Sequence, residues 1–176
     1  MLLPLQGKPV LQSVLESALA SGPHEIICVV GDLEAVRRRI SLSDKRLCWL
    51  TNPAGDRGQS TSVIAGVWAI DPKSDGVLLL TGDQPTIRPE LINSLLERFE
   101  NSTALIVAPS FQGQIRNPIL FRRDLFPKLL QLTGDRDGRE LVKEYRKKTA
   151  LVEWNDEVSF KDIDVRHNYE RIKAVD

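Results

Sequence analysis

The chain has 176 residues, which is enough for one well-packed domain and too few for two ordinary ones. Its 24 basic residues balance its 24 acidic residues, so no chain-wide positive charge draws it to a nucleic-acid backbone or to an anionic membrane. Apolar residues make up 41% and charged residues 27%, a balance that excludes a disordered or low-complexity protein.

The apolar runs of the chain are short. The stretches at 26–30 and 77–80 fall far below the roughly 18 residues that a membrane-spanning helix needs. No basic segment precedes the apolar first residues, as a secretory signal would require. We therefore expect a cytoplasmic protein with neither a nucleic acid nor a membrane as a partner. Cys28 and Cys48 lie in apolar stretches and are expected to be reduced core thiols. With only two histidines, any metal would need oxygen ligands.

The first part of the chain alternates helical and strand patterns. Apolar residues three and four positions apart indicate helices with one buried face, and short runs rich in β-branched residues indicate strands covered on both faces. The predicted helices cover residues 11–20, 32–40, 59–70 and 88–99. The predicted strands cover residues 25–30, 46–51, 76–81 and 104–108. Because parallel strands need crossover connections, this alternation predicts an α/β fold with a mainly parallel sheet and helices on both faces.

The pattern changes after residue 111. Residues 114–121 are typical of a strand, and Pro118 within it indicates an edge or a bulge. Helices follow around 125–132 and 138–147, then a strand over 149–154 and a closing helix from about residue 165. We find no internal repeat and no linker rich in Gly or Ser, so residues 1–176 are predicted to form one domain.

The loop after the strand at 76–81 carries the clearest candidate site. In open parallel sheets, ligands bind beyond the carboxyl ends of the strands. Gly82 and Asp83 stand at such an end and Pro85 fixes the exit of the turn, so Asp83 is well placed to hold a divalent cation. The alternative is that Asp83 caps the next helix or its turn.

A second pair of carboxylates stands near the end of the chain. Asp162 and Asp164 are two positions apart and would point to the same side of an extended segment. Aspartates before a helix are also common caps. Together with Asp83, they indicate an Mg²⁺ site whose remaining ligands are phosphate oxygens and water.

Two further loops carry polar residues that suit a nucleotide and its acceptor. Gly58, Gln59 and Ser60 open a predicted helix, where backbone amides, hydroxyls and the positive end of the helix dipole favour anions. A helix cap without a ligand is the alternative. The stretches 116–118 and 133–139 could contact an anionic acceptor, and as isolated signals they indicate no more than turns.

Taken in order, these motifs resemble those of the small nucleotidyltransferases of molybdenum cofactor maturation. The match is best to the molybdenum cofactor cytidylyltransferases that serve xanthine dehydrogenase-type enzymes, and it covers nearly the whole chain. The motifs are Leu-Leu-Pro-Leu-Gln-Gly-Lys-Pro-Val-Leu at 2–11, Asn-Pro at 52–53 with Gly-Gln-Ser-Thr-Ser at 58–62, Leu-Leu-Leu-Thr-Gly-Asp-Gln-Pro at 78–85, Arg-Asn-Pro-Ile-Leu-Phe at 116–121, Leu-Thr-Gly-Asp at 132–135 and Asp-Ile-Asp at 162–164.

The resemblance implies a Rossmann-like nucleotidyltransferase fold and the transfer of CMP from CTP to molybdopterin-bound molybdenum, with release of pyrophosphate. It implies that Asp83 and Asp164, with Asp162, hold Mg²⁺, and that a xanthine dehydrogenase-type molybdoenzyme or its maturation factor is a partner. The nucleotide would meet Gly58, Gln59, Ser60 and Gly82. The acceptor would meet Asn117, Gly134 and Asp135.

The chain departs from this family in two places. Members carry a strand and a Gly-rich loop before the Leu-Leu-Pro-Leu segment, and Met1 stands where that loop would have ended. We therefore expect a sheet without its first strand, a site without the triphosphate loop, and an apolar strand edge that favours self-association. After Asp164, Val165-Arg166-His167-Asn168 replaces the family's Thr-Pro-Glu-Asp.

Three alternatives stay open. The chain could be a catalytically silent nucleotide- or cofactor-binding remnant or fragment, or a related transferase that uses GTP, a sugar phosphate or an isoprenoid precursor. The third alternative is a dinucleotide-dependent oxidoreductase. It is disfavoured because no Gly-x-Gly-x-x-Gly motif follows any predicted strand.

Overall fold

A computed structural model of the protein describes residues 2, 4–5 and 7–162. The helices are α1 (Val10–Leu19), α2 (Leu33–Arg37), α3 (Gln59–Ala69), α4 (Pro89–Glu100), α5 (Phe126–Leu129) and α6 (Arg139–Glu144). The strands are β1 (Pro4–Leu5), β2 (Lys8–Pro9), β3 (Ile26–Val30), β4 (Leu47–Thr51), β5 (Gly76–Leu79), β6 (Ile106–Phe111), β7 (Gln114–Ile115), β8 (Ile119–Arg122) and β9 (Thr149–Glu153). None of the described helices has the length and apolar character that crossing a bilayer requires.

The predicted α/β class is confirmed, with a mixed arrangement of strands. β3 pairs with β4 in parallel over five residues, and β6 pairs with β9 in parallel. β8 lies antiparallel between β5 and β6, while β7 pairs antiparallel with the end of β6. The connection from β6 to β8 contains no helix, and a connection this short joins antiparallel strands. The described strands therefore form two two-stranded sheets, β1–β2 and β3–β4, and one five-stranded sheet around β6.

The prediction of one strand over 114–121, with Pro118 at an edge or a bulge of it, is wrong. The segment divides into β7 and β8, and the cis Asn117–Pro118 peptide bond lies between them. β8 is an interior strand with neighbours on both sides. Because Pro118 precedes the paired residues, its missing N–H removes no bond from the ladder. The sequence pattern therefore treated β7 and β8 as one strand, although the segment with Pro118 separates them.

The helices form where the sequence predicts them, with adjusted lengths. Asp32 caps α2, because its Oδ1 accepts a hydrogen bond of 2.9 Å from the Ala35 amide. α4 begins with Pro89 in the first turn, where a missing N–H costs nothing. The helices predicted at 125–132 and 138–147 are shorter than expected, since α5 has four residues and α6 six, each beside a 3-10 turn. The closing helix predicted from residue 165 lies outside the described residues.

The core has two layers, one on each face of the sheets. On one face, α3 packs on alternate residues of β5, including Val77 and Leu79. On the other face, α1 and α4 cover Leu78 and the residues around it. β3 directs Ile26, Cys28 and Val30 into a cluster with α1 and α2. The carboxyl ends of β3 and β5 therefore open between these layers.

Candidate functional site

The candidate site lies at one end of a cavity of about 980 Å³. The cavity runs along β3 and β5 and ends at the loops that follow β5, precede α3 and precede β8. Four of the sequence-predicted residues border it or adjoin it directly: Gln59, Gly82, Asp83 and Asn117. The structure therefore brings together residues from three separate loops that the sequence singled out.

Asp83 presents a buried carboxylate oxygen to this site. Among the described residues, neither Asp83 Oδ1 nor Gln84 Oε1 has a hydrogen-bond partner, although both atoms are buried. Nearly all buried polar atoms in proteins are paired, because an unpaired one loses its bonds to water without replacement. The N-cap of α4 is Arg88 and receives no side-chain bond, so Asp83 does not cap that helix. An oxygen in this state fits a hard cation such as Mg²⁺.

The loop that opens α3 is joined to the turn at 134–135. The Ser60 amide donates a hydrogen bond of 3.0 Å to the Gly134 carbonyl, and the Ser60 side chain is buried. Gly58 has φ +112°, and a Cβ placed on it would come within 2.5 Å of the Gly134 carbonyl. Because the Ser60 amide is engaged, a ligand would reach this loop through Gly58 and the exposed Gln59.

Asn52 stabilises the same loop through side-chain hydrogen bonds. It was not identified as a site residue from the sequence. It is buried, and its Nδ2 donates to Thr61 Oγ1 at 2.9 Å and to Ser62 Oγ at 3.1 Å. Its Oδ1 accepts from the Ala54 amide at 3.1 Å. The Asn52 side chain thus connects the loop at Ala54 to the first turn of α3. The Asn-Pro pair in the ordered motifs was the signal that could have found it.

The predicted acceptor residues occupy two neighbouring loops. Asn117 is buried, and its Oδ1 accepts a hydrogen bond of 3.3 Å from Arg139 Nε. Arg139 Nε also lies 3.1 Å from Asp137 Oδ2, and Asp137 borders the cavity. Gly134 and Asp135 are exposed in the turn just before. Arg139 therefore links the loop before β8 to the loop before α6, and its guanidinium group lies at the edge of the site.

The segment that leads to Asp162 packs against the loop that follows Asp83. Thr86 Oγ1 donates to the Val158 carbonyl at 2.5 Å, and Arg88 Nε lies 2.8 Å from Asp156 Oδ2. Asp162 itself is exposed. The predicted partner Asp164 lies outside the described residues. The convergence of Asp83 with Asp162 and Asp164 stays a prediction.

No complete set of metal-binding side chains occurs within the described chain. Residues 2, 4–5 and 7–162 contain no cluster of three or more His, Cys, Asp or Glu side chains that could hold an ion. Among the described carboxylates that border the cavity, Asp83 alone has a buried oxygen without a hydrogen-bond partner. The described side chains at the cavity therefore do not form a complete metal site by themselves.

The thiol nearest the site is not suited to nucleophilic chemistry. Cys28 lies on β3 beside the cavity and is 7% exposed. Burial raises the pKa of its thiol to about 12, so the thiolate is scarce at neutral pH. The site therefore relies on carboxylate, amide and guanidinium groups.

Comparison with known proteins gives the family. Residues 1–149 match the MobA-like NTP transferase domain, and the chain belongs to this family. It is 28% identical over 179 residues to the purine catabolism protein PucB of Bacillus subtilis, covering 97% of this chain and 86% of PucB. It is 25% identical over 170 residues to the nicotine blue oxidoreductase of Paenarthrobacter nicotinovorans, covering 93% and 82% of the two chains.

Solved structures share the fold. The crystal structure of Rv0371c from Mycobacterium tuberculosis in complex with manganese superposes with a TM-score of 0.84 at 23% identity, covering 99% of this chain and 90% of that one. The chain thus has the nucleotidyltransferase fold that the sequence motifs imply, and it is a MobA-like nucleotidyltransferase domain.

Proposed function

We propose that this protein is a metal-dependent nucleotidyltransferase that transfers CMP from CTP to molybdopterin-bound molybdenum, releasing pyrophosphate. The observation that carries the proposal is the buried, unpaired Asp83 Oδ1 beside the loop that opens α3, in a chain of the MobA-like family. The choice of CTP and of the molybdenum cofactor rests on the ordered sequence motifs. A cytoplasmic location and a xanthine dehydrogenase-type partner or its maturation factor belong to the same proposal.

In the proposed reaction, the terminal phosphate of the acceptor attacks the α-phosphorus of CTP. A new P–O bond forms, the bond between the α- and β-phosphates breaks, and pyrophosphate leaves with the electron pair. No protein nucleophile is required, because alignment and charge stabilisation supply most of the catalysis in phosphoryl transfer. This agrees with a site that offers no reactive thiol.

The residues of the chain would form two neighbouring subsites, one for the nucleotide and one for the acceptor. Gly58, Gln59 and Gly82 would bind the nucleotide, while Ser60 fixes the loop through its amide. Asn117, Gly134 and Asp135 would face the acceptor. Asn117 is oriented by Arg139, whose positive charge suits an anionic acceptor.

Asp83 would hold Mg²⁺ together with Asp164 and Asp162. When bound, the metal neutralises charge on the phosphates as the transferred group moves. The manganese in the complex of the fold neighbour Rv0371c belongs to that protein, and it agrees with a divalent site in this fold. The local chemistry also agrees, because a carboxylate oxygen without a hydrogen-bond partner is available to a cation.

The test is pyrophosphate release by the full chain with CTP, GTP or ATP, Mg²⁺ and molybdopterin-bound molybdenum. We expect turnover with CTP, and Asp83→Asn should lower it by about a hundredfold or more, the scale of losing one charge-stabilising group. The matched control is Asp124→Asn at an exposed position, which should keep the wild-type rate. Turnover that survives Asp83→Asn would contradict the metal assignment, and turnover with GTP alone would contradict the choice of base.

A second candidate is an oxidoreductase, and the name of the relative from Paenarthrobacter nicotinovorans favours it. That activity needs a dinucleotide or flavin, and the sequence carries no Gly-x-Gly-x-x-Gly motif. Oxidation of NADPH or NADH by an electron acceptor, followed at the nicotinamide absorbance band, separates the two. Acceptor-dependent oxidation in the absence of CTP would favour the oxidoreductase, whereas nucleotide binding without turnover in either assay would favour the catalytically silent alternative.

A further inference from the structure

Arg139, at the start of α6, is bound through its inner nitrogen and leaves its two outer nitrogens unpaired. Its Nε donates a hydrogen bond of 3.3 Å to Asn117 Oδ1 and lies 3.1 Å from Asp137 Oδ2. Neither Nη1 nor Nη2 forms a hydrogen bond with any described residue. The two terminal nitrogens of a guanidinium group lie in one plane and match two oxygens of one anion. The outer end of Arg139 is therefore open to such an anion.

The backbone that carries Arg139 is fixed by the core. Gly138 has φ +95°, and a Cβ placed on it would come within 3.1 Å of Phe121 Cζ and 3.2 Å of Leu129 Cδ2. Both of those side chains are fully buried. Asp137 Oδ1 also accepts a hydrogen bond of 3.1 Å from the Arg139 amide. Because the backbone and Nε are both held, Arg139 binds a ligand with little further loss of side-chain freedom.

The guanidinium group stands beside the cavity and is accessible to solvent. Asn117 and Asp137, the two residues that hold Nε, both border the cavity. Gln59 and Asp83, on the proposed nucleotide side, border the same cavity. The Arg139 side chain is 64% exposed, so its outer nitrogens are within reach of a molecule that enters the cavity from solvent.

The charge of the loop before α6 is too balanced to attract an anion by itself. Residues 133–139 contain two aspartates and two arginines, so their formal charges cancel. The other arginine of this loop, Arg136, lies 3.7 Å from Glu140 Oε1 in an exposed pair, which contributes little to stability. Recognition of an anion by Arg139 therefore depends on the direction of its N–H groups more than on a positive field.

We propose that the two outer nitrogens of Arg139 bind two oxygens of the acceptor's terminal phosphate, and that this restricts the acceptor to phosphate monoesters. The inference rests on the proposed function, in which this phosphate attacks CTP. A phosphate monoester carries a charge of about −1.5 to −2 at pH 7 and has three terminal oxygens. Two of them bind the guanidinium group, and the third attacks the α-phosphorus. Arg139 forms no covalent bond and gives up no proton, because arginine stays charged in proteins.

The number of terminal oxygens determines which acceptors react. A carboxylate has two oxygens and a phosphate diester has two terminal oxygens, so Arg139 would bind both and none would remain to attack. A hydroxyl group has a single oxygen and cannot pair with both nitrogens. The site should therefore reject carboxylate, diester and hydroxyl acceptors even where they fit the cavity.

The test is NMR of the arginine side-chain Nε–H signals in the ¹⁵N-labelled full chain during titration with phenyl phosphate. We expect phenyl phosphate to shift the Arg139 signal in a saturable way. Arg139→Lys keeps the positive charge and lacks the planar pair of nitrogens, so its affinity for phenyl phosphate should fall about tenfold or more. Backbone amide shifts of residues 134–138 report that affinity.

The matched control is Arg98→Lys. Arg98 is exposed on α4 and is not among the residues that border the cavity. The substitution makes the same chemical change as Arg139→Lys, and it should leave the affinity for phenyl phosphate at the wild-type value.

Three results would overturn the proposal. The first is an Arg139 signal that phenyl phosphate leaves unmoved, which is read on the wild-type chain and depends on the folding of no variant. The second is equal affinity of Arg139→Lys and the wild type, which would reduce the interaction to a single positive charge. The third is an equal loss of affinity in Arg98→Lys, which would assign the effect to the total charge of the chain.

Kinetics separates this inference from the proposed function. In label transfer from CTP to molybdopterin-bound molybdenum, Arg139→Lys should raise KM for the acceptor about tenfold and leave KM for CTP unchanged. A fall in kcat with both KM values unchanged would indicate a structural role and contradict the inference alone. Absence of transfer by the wild type would contradict the proposed function, and the phenyl phosphate titration would still decide whether Arg139 binds a phosphate monoester.

Discussion

Single residues show both the strength and the limit of the sequence analysis. Asp83 was predicted from a carboxylate at the end of an apolar strand, and the structure gives it an unpaired buried oxygen at the cavity. Ser60 was predicted to offer donors to a ligand, yet its amide bonds Gly134, which is 74 positions away. Local spacing reports what a residue can donate. It cannot report which distant carbonyl receives the bond.

At the same scale, Gly58→Ala is expected to destabilise the fold by about 2–4 kcal/mol, because it adds backbone strain to a clash with Gly134. The matched control is Gly113→Ala, which has φ +73° but open space around a Cβ, so it should cost only about 1–2 kcal/mol. Urea unfolding of both variants gives the comparison. Equal losses would show that the contact with Gly134 does not constrain this loop.

The Cys28 thiol gives a prediction with a definite pH dependence. Burial raises its pKa to about 12, so its thiolate fraction at pH 8 is only about one in ten thousand. Its reaction with a thiol reagent should therefore rise about tenfold per pH unit toward pH 12, provided that the fold persists. Cys48 on the neighbouring strand was predicted to be a core thiol but is exposed, because its strand position faces away from the core. It is the internal reference and should react first. Comparable rates for both thiols at pH 8, read from peptide mass spectra, would contradict the burial of Cys28.

Helices whose apolar periodicity extends over many residues were predicted more reliably than single contacts. α1, α3 and α4 span ten to twelve residues and follow their predicted ranges closely. α5 and α6 are short, and their predicted ranges were too long, because apolar residues in 3-10 turns mimic helical spacing over so few positions. The edge or bulge predicted around Pro118 did not identify β8 as an interior strand, since the position of a strand in a sheet depends on its neighbours.

An arginine at the start of β4 is expected to secure the end of α1. Arg46 donates hydrogen bonds to the Leu19 carbonyl at 2.6 Å and to the Ser21 carbonyl at 3.0 Å, both at the carboxyl end of that helix. Arg46→Met should therefore lower the free energy of unfolding by about 1–3 kcal/mol. Arg38→Met, at the exposed position that directly follows α2, should change it by less than about 0.5 kcal/mol. Chemical denaturation measures both, and equal effects would contradict the capping role.

The same arginine adds an acid dependence. Its hydrogen bonds to Asp44 lower the pKa of that carboxyl below its ordinary value of 3.8. Because the pKa of Asp44 is lower in the folded protein than in the unfolded chain, its pairing with Arg46 stabilises the fold above pH 3.8. This stabilisation is lost as the pH falls through the lower pKa of the folded protein. The stability of Arg46→Met should therefore fall less steeply with acid in that range, and an unchanged slope would contradict the pairing.

At the scale of the whole molecule, alternating helices and strands were enough to predict the fold class, because crossover connections constrain the topology. They were not enough to show that β3–β4 and the five-stranded sheet are separate, with a cavity between β3 and β5. Each strand carries the same apolar pattern whether one or both of its edges are paired. The ordered motifs predicted the family, and the match over residues 1–149 confirms it. The predicted self-association through an apolar strand edge stays a prediction. Among the described residues, β3 and β5 each have one edge without a partner strand, and both strands border one cavity.

The most direct measurement of the proposed function is the transfer of label from CTP carrying ³²P at the α-phosphate to molybdopterin-bound molybdenum. With Mg²⁺ and the full chain, we predict that the label moves to the acceptor in step with release of unlabelled pyrophosphate. Asp83→Asn should lower the rates of both by about a hundredfold or more. Label that stays on CTP, or that appears only as free CMP, would contradict nucleotidyl transfer by this protein.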